Sequence, residues 1–139
     1  MTLGDLFSRK VVTAFPKESL ASVARRMQER NVGTVLIEEN QKPVGMVTDR
    51  DLALALGAQG LSPQASVDKV MTSNLRTIGK DAGVLTATRC MRDYEVRRLP
   101  IVDENGSVVG IVSFDDLLRL LGRELYNLVE GIKHETETR

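Results

Sequence analysis

Residues 11–39, VVTAFPKESLASVARRMQERNVGTVLIEE, lie without a gap on residues 75–103, LRTIGKDAGVLTATRCMRDYEVRRLPIVD, when the chain is shifted on itself by 64 positions. Thr13 meets Thr77, Arg25 meets Arg89, Met27 meets Met91, Val32 meets Val96 and Ile37 meets Ile101. One extra residue near Asn105-Gly106 moves the shift to 65. Gly45, Val47, Asp51 and Leu52 then meet Gly110, Val112, Asp116 and Leu117. The chain is an internal repeat.

Both copies change hydrophobic period in the same order. Residues 11–14 and 75–78 are short strand candidates. Leu20, Val23, Ala24 and Met27, matched by Val84, Ala87, Thr88 and Met91, recur at helical spacing and predict one amphipathic helix per copy. Two β-rich runs follow across a turn, TVLIEE with PVGMVT in copy one and RLPIVD with SVVGIVS in copy two. A second helix is expected from Asp49 and from Asp115. Residues 58–66, AQGLSPQAS, read as a linker, and GDLFSRK before copy one matches VDKVMTSN before copy two, so each copy should carry a small leading helix. Copies of about 60 residues are marginal alone, because too little of their surface can be buried. The predicted fold is therefore α/β of the α+β kind: two β-α-β-β-α repeats related by a pseudo-two-fold and packed through their sheets. The expected divisions are 1–60, 61–124 and a C-terminal helix extension with tail, 125–139. Leu117, Leu121, Leu125, Leu128 and Ile132 form an apolar stripe on that last helix that needs a partner, either the protein's own body or a second chain. The final HETETR is expected to fray.

Composition narrows the function. The 139 residues are 42% hydrophobic and 27% charged with zero formal net charge, and the chain has three phenylalanines, two tyrosines and no tryptophan. That speaks against nucleic-acid binding and leaves any anion to be held by local groups. No run is long and apolar enough to span a membrane, and the first residues lack the apolar core of a signal peptide, so a cytoplasmic location is expected. Cys90, the single cysteine, excludes an internal disulfide and cannot build a zinc site alone. The one histidine, His134, lies in the polar tail, and Cys90 has no identifiable base beside it. Asp115 and Asp116, adjacent on a helix, point about 100° apart and cannot share a proton. Catalysis is not expected, nor is a metal or a prosthetic group.

The motif that recurs is Gly-x-x-Thr/Ser-x-x-Asp, GMVTDRDL at 45–52 and GIVSFDDL at 110–117. Thr48 and Ser113 stand where a strand hands over to a helix. A hydroxyl there with an acid three residues on makes a capping box that contributes roughly 1 kcal/mol. The same geometry also turns free N–H groups and a positive partial charge outward, which suits a phosphate, while Asp51 and Asp116 could accept ribose hydroxyls. Gly45 and Gly110 leave room for a ligand or a neighbouring backbone. Arg97 and Arg98, in the same copy as Ser113 and Asp116, offer planar donor forks for a phosphate. Copy one has Gly33-Thr34 there, with Arg50 as partial compensation, so the two clefts should differ in charge and GIVSFDDL should be the more anion-friendly.

These residues resemble the tandem cystathionine-β-synthase (CBS) domain pair from about residue 5 to 122. The two β-α-β-β-α copies, VRRLPIVDENGSVVGIVSFDDL and the repeated signature carry the likeness. The resemblance implies two ligand clefts and a disc-shaped homodimer, head-to-head or head-to-tail. It also implies a regulatory sensor of AMP, ADP or ATP, or of S-adenosylmethionine or NAD, that signals to a separate effector protein. Carried over, Asp51 and Asp116 would bind ribose, and Thr48 and Ser113 phosphate. Thr13-Ala14, Thr77-Ile78, Gly33-Thr34 and Arg98-Leu99 would enclose the base. Arg97 stands where relatives often have histidine, Arg98 matches the family's basic residue, and a cleft can borrow such residues from the other copy. The competing reading is a structural or partner-binding module in which both signatures are only caps.

Overall fold

The computed structural model describes residues 1–138, with side chains through Glu135. In copy one, β1 (Thr13–Ala14) leads to α2 (Leu20–Arg30), β2 (Thr34–Glu39), β3 (Lys42–Thr48) and α3 (Asp49–Gly57), preceded by the short helix α1 (Leu3–Phe7). In copy two, a 3₁₀ turn (Val67–Lys69) precedes β4 (Ile78–Gly79), α4 (Val84–Tyr94), β5 (Arg98–Val102), β6 (Val108–Ser113) and α5 (Phe114–Thr138). The β-α-β-β-α reading holds in both copies. The last helix starts one residue before the expected Asp115.

Each copy folds its strands into a three-stranded sheet, ordered β1-β2-β3 and β4-β5-β6, with the first pair parallel and the second antiparallel. The first helix ends in each copy on a left-handed residue at the equivalent place, Asn31 (φ 53°) and Glu95 (φ 55°), which turns the chain back into the sheet. The hairpins explain the change of shift. Glu39 pairs with Lys42 across Asn40 and Gln41, both at positive φ, as a two-residue turn requires. In copy two the Asp103 carboxylate accepts from the N–H groups of Asn105 and Ser107, and Gly106 takes positive φ in a longer loop.

Strand burial shows how the sheets are covered. Val35, Ile37 and Val47 belong to one core with Leu20, Val23 and Met27 of α2, and Leu99, Ile101 and Val112 to a second with Ala87 and Met91 of α4. The alternate residues Leu36, Met46, Pro100 and Ile111 point to the opposite sheet faces, yet all are buried. Near-continuous apolar runs of this kind belong to strands covered on both sides, and the covered second faces are where the two sheets meet.

The leading elements are exchanged between the copies. Leu3 of α1 lies in the second core and Val67 of the 3₁₀ turn in the first. The Leu3 and Gly4 N–H groups donate to the carbonyls of Ala82 and Lys80, and the equivalent Val67 and Asp68 N–H groups donate to Glu18 and Pro16. These matched bonds express the pseudo-two-fold. Each packed core thus takes one element from the other copy.

The exchange also accounts for Gly45 and Gly110. A Cβ on Gly110 would stand 2.2 Å from the Phe7 carbonyl oxygen, and one on Gly45 2.3 Å from Met71 Sδ. Both glycines make room for the chain leading in to the other copy.

α5 runs unbroken through Thr138, so the tail expected to fray is helical as far as Thr138; Arg139 lies outside the described residues. Leu117, placed on the stripe by spacing, is 4% exposed in the second core. The exposed stripe begins at Leu118 and continues through Leu121, Leu125, Leu128 and Ile132. No helix among the described residues is long and apolar enough to cross a membrane.

Candidate functional site

Both signatures form complete capping boxes. The Thr48 N–H donates to Asp51 Oδ2 (2.9 Å) and the Asp51 N–H to Thr48 Oγ1 (3.2 Å). Ser113 and Asp116 repeat the pair at 2.9 and 3.0 Å. The structural role read from the sequence is therefore present in each copy. It occupies Oδ2 of each aspartate and leaves Oδ1 of Asp51 without a hydrogen bond or ion pair among the described residues; Oδ1 of Asp116 lies 3.8 Å from an Arg119 Nη2.

Each signature opens into a cavity whose far wall comes from the other copy. The first cleft, about 260 Å³, joins Met46, Thr48 and Asp51 of copy one to Val96, Arg97 and Arg98 of copy two and to the lead-in Asn74, Leu75 and Arg76. The second, about 370 Å³, joins Ile111, Ser113 and Asp116 of copy two to Val32, Gly33 and Thr34 of copy one and to the lead-in Arg9, Lys10, Val11 and Val12. Apart from Arg9, whose counterpart Ser73 does not line the first cleft, these residues correspond across the pseudo-two-fold. Their volumes stand at the small end of ligand clefts.

The sequence leaves open whether the arginines serve their own copy's cleft or the other's. Arg97 lines the first cleft with Thr48 and Asp51, although its guanidinium also touches Phe114 and Asp115 of its own copy, while Arg98 lines both clefts. Since β5 pairs with β6 inside one sheet, residues just before β5 run out over the facing sheet's signature. The expected inequality of charge is absent. Three arginines face one carboxylate in the first cleft (Arg76, Arg97 and Arg98 against Asp51). Four cations face two in the second (Arg9, Lys10, Arg98 and Arg119 against Asp115 and Asp116), the same formal excess.

Of the candidate residues, Gly33, Thr34, Thr48, Asp51, Arg97, Arg98, Ser113 and Asp116 line the two cavities, and the others lie outside them. Ala14 (3% exposed), Ile78 (6%) and Leu99 (0%) are core residues. The Thr13 carbonyl is taken by Arg26 Nη1 at 2.8 Å, Thr77 is solvent-exposed, and Arg50 is exposed on the surface of α3 outside both cavities. Thr13-Ala14 and Thr77-Ile78 lie outside the cavities because β1 and β4 start later than the residues that reach the clefts, which are 9–12 and 74–76. The signal was available, because the shift of 64 extends back over these residues and Arg9-Lys10 and Arg76 bring charge to them.

Most cleft cations are already engaged. Arg97 stacks on Phe114 at 4.5 Å and sits 3.6 Å from Asp115, and Arg76 stacks on Tyr94 at 4.3 Å. Arg9 Nη2 donates to the Ile111 carbonyl at 3.3 Å. Arg98 and Lys10 make no side-chain hydrogen bond or ion pair with any described residue.

A third cavity, about 300 Å³, is an apolar groove between α4 and α5 lined by Met91, Phe114, Leu118 and Leu121 among others. It takes in Phe114 and Leu117 of the second signature but none of Thr48, Asp51, Ser113 and Asp116. Among the described residues no cluster of three or more His, Cys, Asp or Glu side chains could hold a metal.

Comparison with known proteins gives a consistent picture. The model of the CBS domain matches twice, over residues 3–58 and 67–123. The CBS domain-containing protein YhcV of Bacillus subtilis is 37% identical over 113 residues, 81% of this chain and 80% of its own length. The chain spans 62% and 32% of two other curated relatives, so it corresponds to only part of those longer proteins. Among solved structures, the CBS domain pair of protein MJ0100 in complex with 5′-methylthioadenosine and S-adenosyl-L-methionine is similar over 89% of this chain and 98% of its own, with a TM-score of 0.77 and 30% identity. The CBS domain protein PAE2072 from Pyrobaculum aerophilum, complexed with AMP, is similar over 84% of this chain and 89% of its own, with a TM-score of 0.74 and 25% identity.

Proposed function

The chain belongs to the CBS domain family, and on that premise we propose that it is a non-catalytic regulatory sensor that binds adenosine phosphates, AMP, ADP or ATP, in its two crossed clefts and signals to a separate effector. The observation that carries this reading is the duplication of one constellation: a helix N-terminus, an aspartate on its first turn, and arginines contributed by the other copy. The helix terminus and arginines suit a phosphate, and the aspartate suits ribose hydroxyls. The AMP complex of PAE2072 supports an adenosine ligand, and the MJ0100 complex makes S-adenosylmethionine the competing choice. A cytoplasmic location agrees with a half-buried, unpaired Cys90.

Thermal unfolding tests it. AMP at about 100 times its dissociation constant adds roughly 2.7 kcal/mol, expected as a rise of several degrees in Tm. The rise should shrink in Asp51→Asn and Asp116→Asn. No shift with AMP, ADP, ATP, S-adenosylmethionine or NAD overturns the sensor reading. It would leave the second reading, a structural or partner-binding module, which the completeness of both capping boxes favours.

The same reading includes a homodimer through copy two. Leu118, Leu121, Leu125, Leu128 and Ile132 are 40–68% exposed at alternating spacings of three and four, the seam of a coiled coil. On the helices of copy one, Leu54 is the counterpart among large exposed apolar side chains. Copy two facing copy two therefore covers more apolar surface than copy two facing copy one. Sedimentation should show a dimer that Leu125→Asp dissociates; a wild-type monomer contradicts this.

A further inference from the structure

We propose that Arg98 is a cation shared between the two clefts, so that a phosphate bound in one weakens binding of a phosphate in the other. This rests on the reading that both clefts take adenosine phosphates. Arg98 is the one residue that lines both cavities, with Thr48 and Asp51 on one side and Ser113 and Asp116 on the other.

Its place in the sheet explains the double reach. As the first residue of β5 it sits opposite Ser113 in the strand register, at the mouth of its own copy's signature, while its neighbours Val96 and Arg97 run along the other cleft. The equivalent residue of copy one, Thr34, sits opposite Thr48 but lines only the second cleft. A threonine side chain is too short to serve two sites. An arginine has a long, flexible stem.

Its lack of partners explains why it would move. Arg97 and Arg119 have Asp115 and Asp116 beside them, Arg9 holds a carbonyl and Arg76 covers a tyrosine ring. Arg98 is exposed, and its side chain has no hydrogen-bond or ion-pair partner among the described residues. The first phosphate to arrive on either side captures its donor fork, since bidentate pairing serves one anion best. The second cleft then fills with one cation fewer and with an added anion nearby.

The test is calorimetric titration with AMP of the wild type, Asp51→Asn and Asp116→Asn, each with and without Arg98→Met. Asparagine keeps an oxygen to accept the Thr48 or Ser113 N–H, so the cap persists while the ribose acceptor is weakened; where the Asn form still binds two AMP, Ala at that position closes the cleft. If Arg98 is shared, the product of the two wild-type dissociation constants exceeds the product of the single-cleft constants by about tenfold, within the usual range of coupling between sites. With Arg98→Met that factor falls to about one. A factor of one in the wild type, or a tenfold factor that survives Arg98→Met, overturns the inference while leaving the sensor reading intact. No AMP uptake by any form overturns the sensor reading, and this inference with it.

Discussion

The two copies share one fold and one signature but solve the same local problems with different side chains. Where β1 meets α2 in copy one, Glu18 binds Arg26 through both carboxylate oxygens at 2.6 and 3.0 Å, and Arg26 also holds the Thr13 carbonyl. The equivalent positions of copy two are Ala82 and Cys90, partly buried against the second core. At the matched glycines, Gly110 meets backbone and Gly45 meets a methionine side chain. Repetition conserves the geometry of the chain, and the chemistry that fixes each junction is free to differ.

The largest difference should appear at the glycines. Gly110→Ala forces the Phe7 carbonyl away from β6 and should cost about 3 kcal/mol, as overpacking against backbone does. Gly45→Ala presses on the Met71 side chain, Sδ and Cγ first and Cβ at 3.2 Å, and since a side chain yields more readily than backbone it should cost less, about 2 kcal/mol. Urea unfolding of the two variants checks the order; equal costs would mean that the exchanged segments are not held as described.

A smaller contrast is written in pH. The Arg26 guanidinium holds the Glu18 carboxyl below its ordinary value of 4.5. A depressed carboxylate stabilises the fold above the unfolded value and loses that contribution as pH falls through the folded value. Glu18→Gln should therefore cost about 1 kcal/mol at neutral pH, and the two proteins should converge in stability below about pH 4.5. Denaturation followed across pH 3–7 reads this directly. A cost that persists unchanged in acid would mean that packing, not charge, is what the junction uses.

How much was legible follows the same division. The strands at 34–39 and 98–102 and the helices from Leu20 and Val84 were readable because β-branched runs and helical spacing are local, and the repeat tested each reading twice. Leu117 and Leu118 both fit a helical stripe, and only packing decides which is core. The capping boxes were readable from Thr48-x-x-Asp51 and Ser113-x-x-Asp116. The crossing of the clefts was not, because it depends on how one sheet lies over the other, and no sequence period encodes that. Sequence alone therefore leaves open which signature Arg97 serves, and it points to 13–14 and 77–78 where residues 9–12 and 74–76 line the clefts.

One measurement separates crossed clefts from a sequence-local arrangement. AMP affinity is compared for Arg97→Ala in the background of Asp116→Asn, where the first cleft alone remains, and of Asp51→Asn, where the second remains. Crossed clefts predict that Arg97→Ala weakens binding by about tenfold in the Asp116→Asn protein, with little change in the Asp51→Asn protein. The reverse pattern, with loss only when the Ser113 cleft is the one left, would contradict the account.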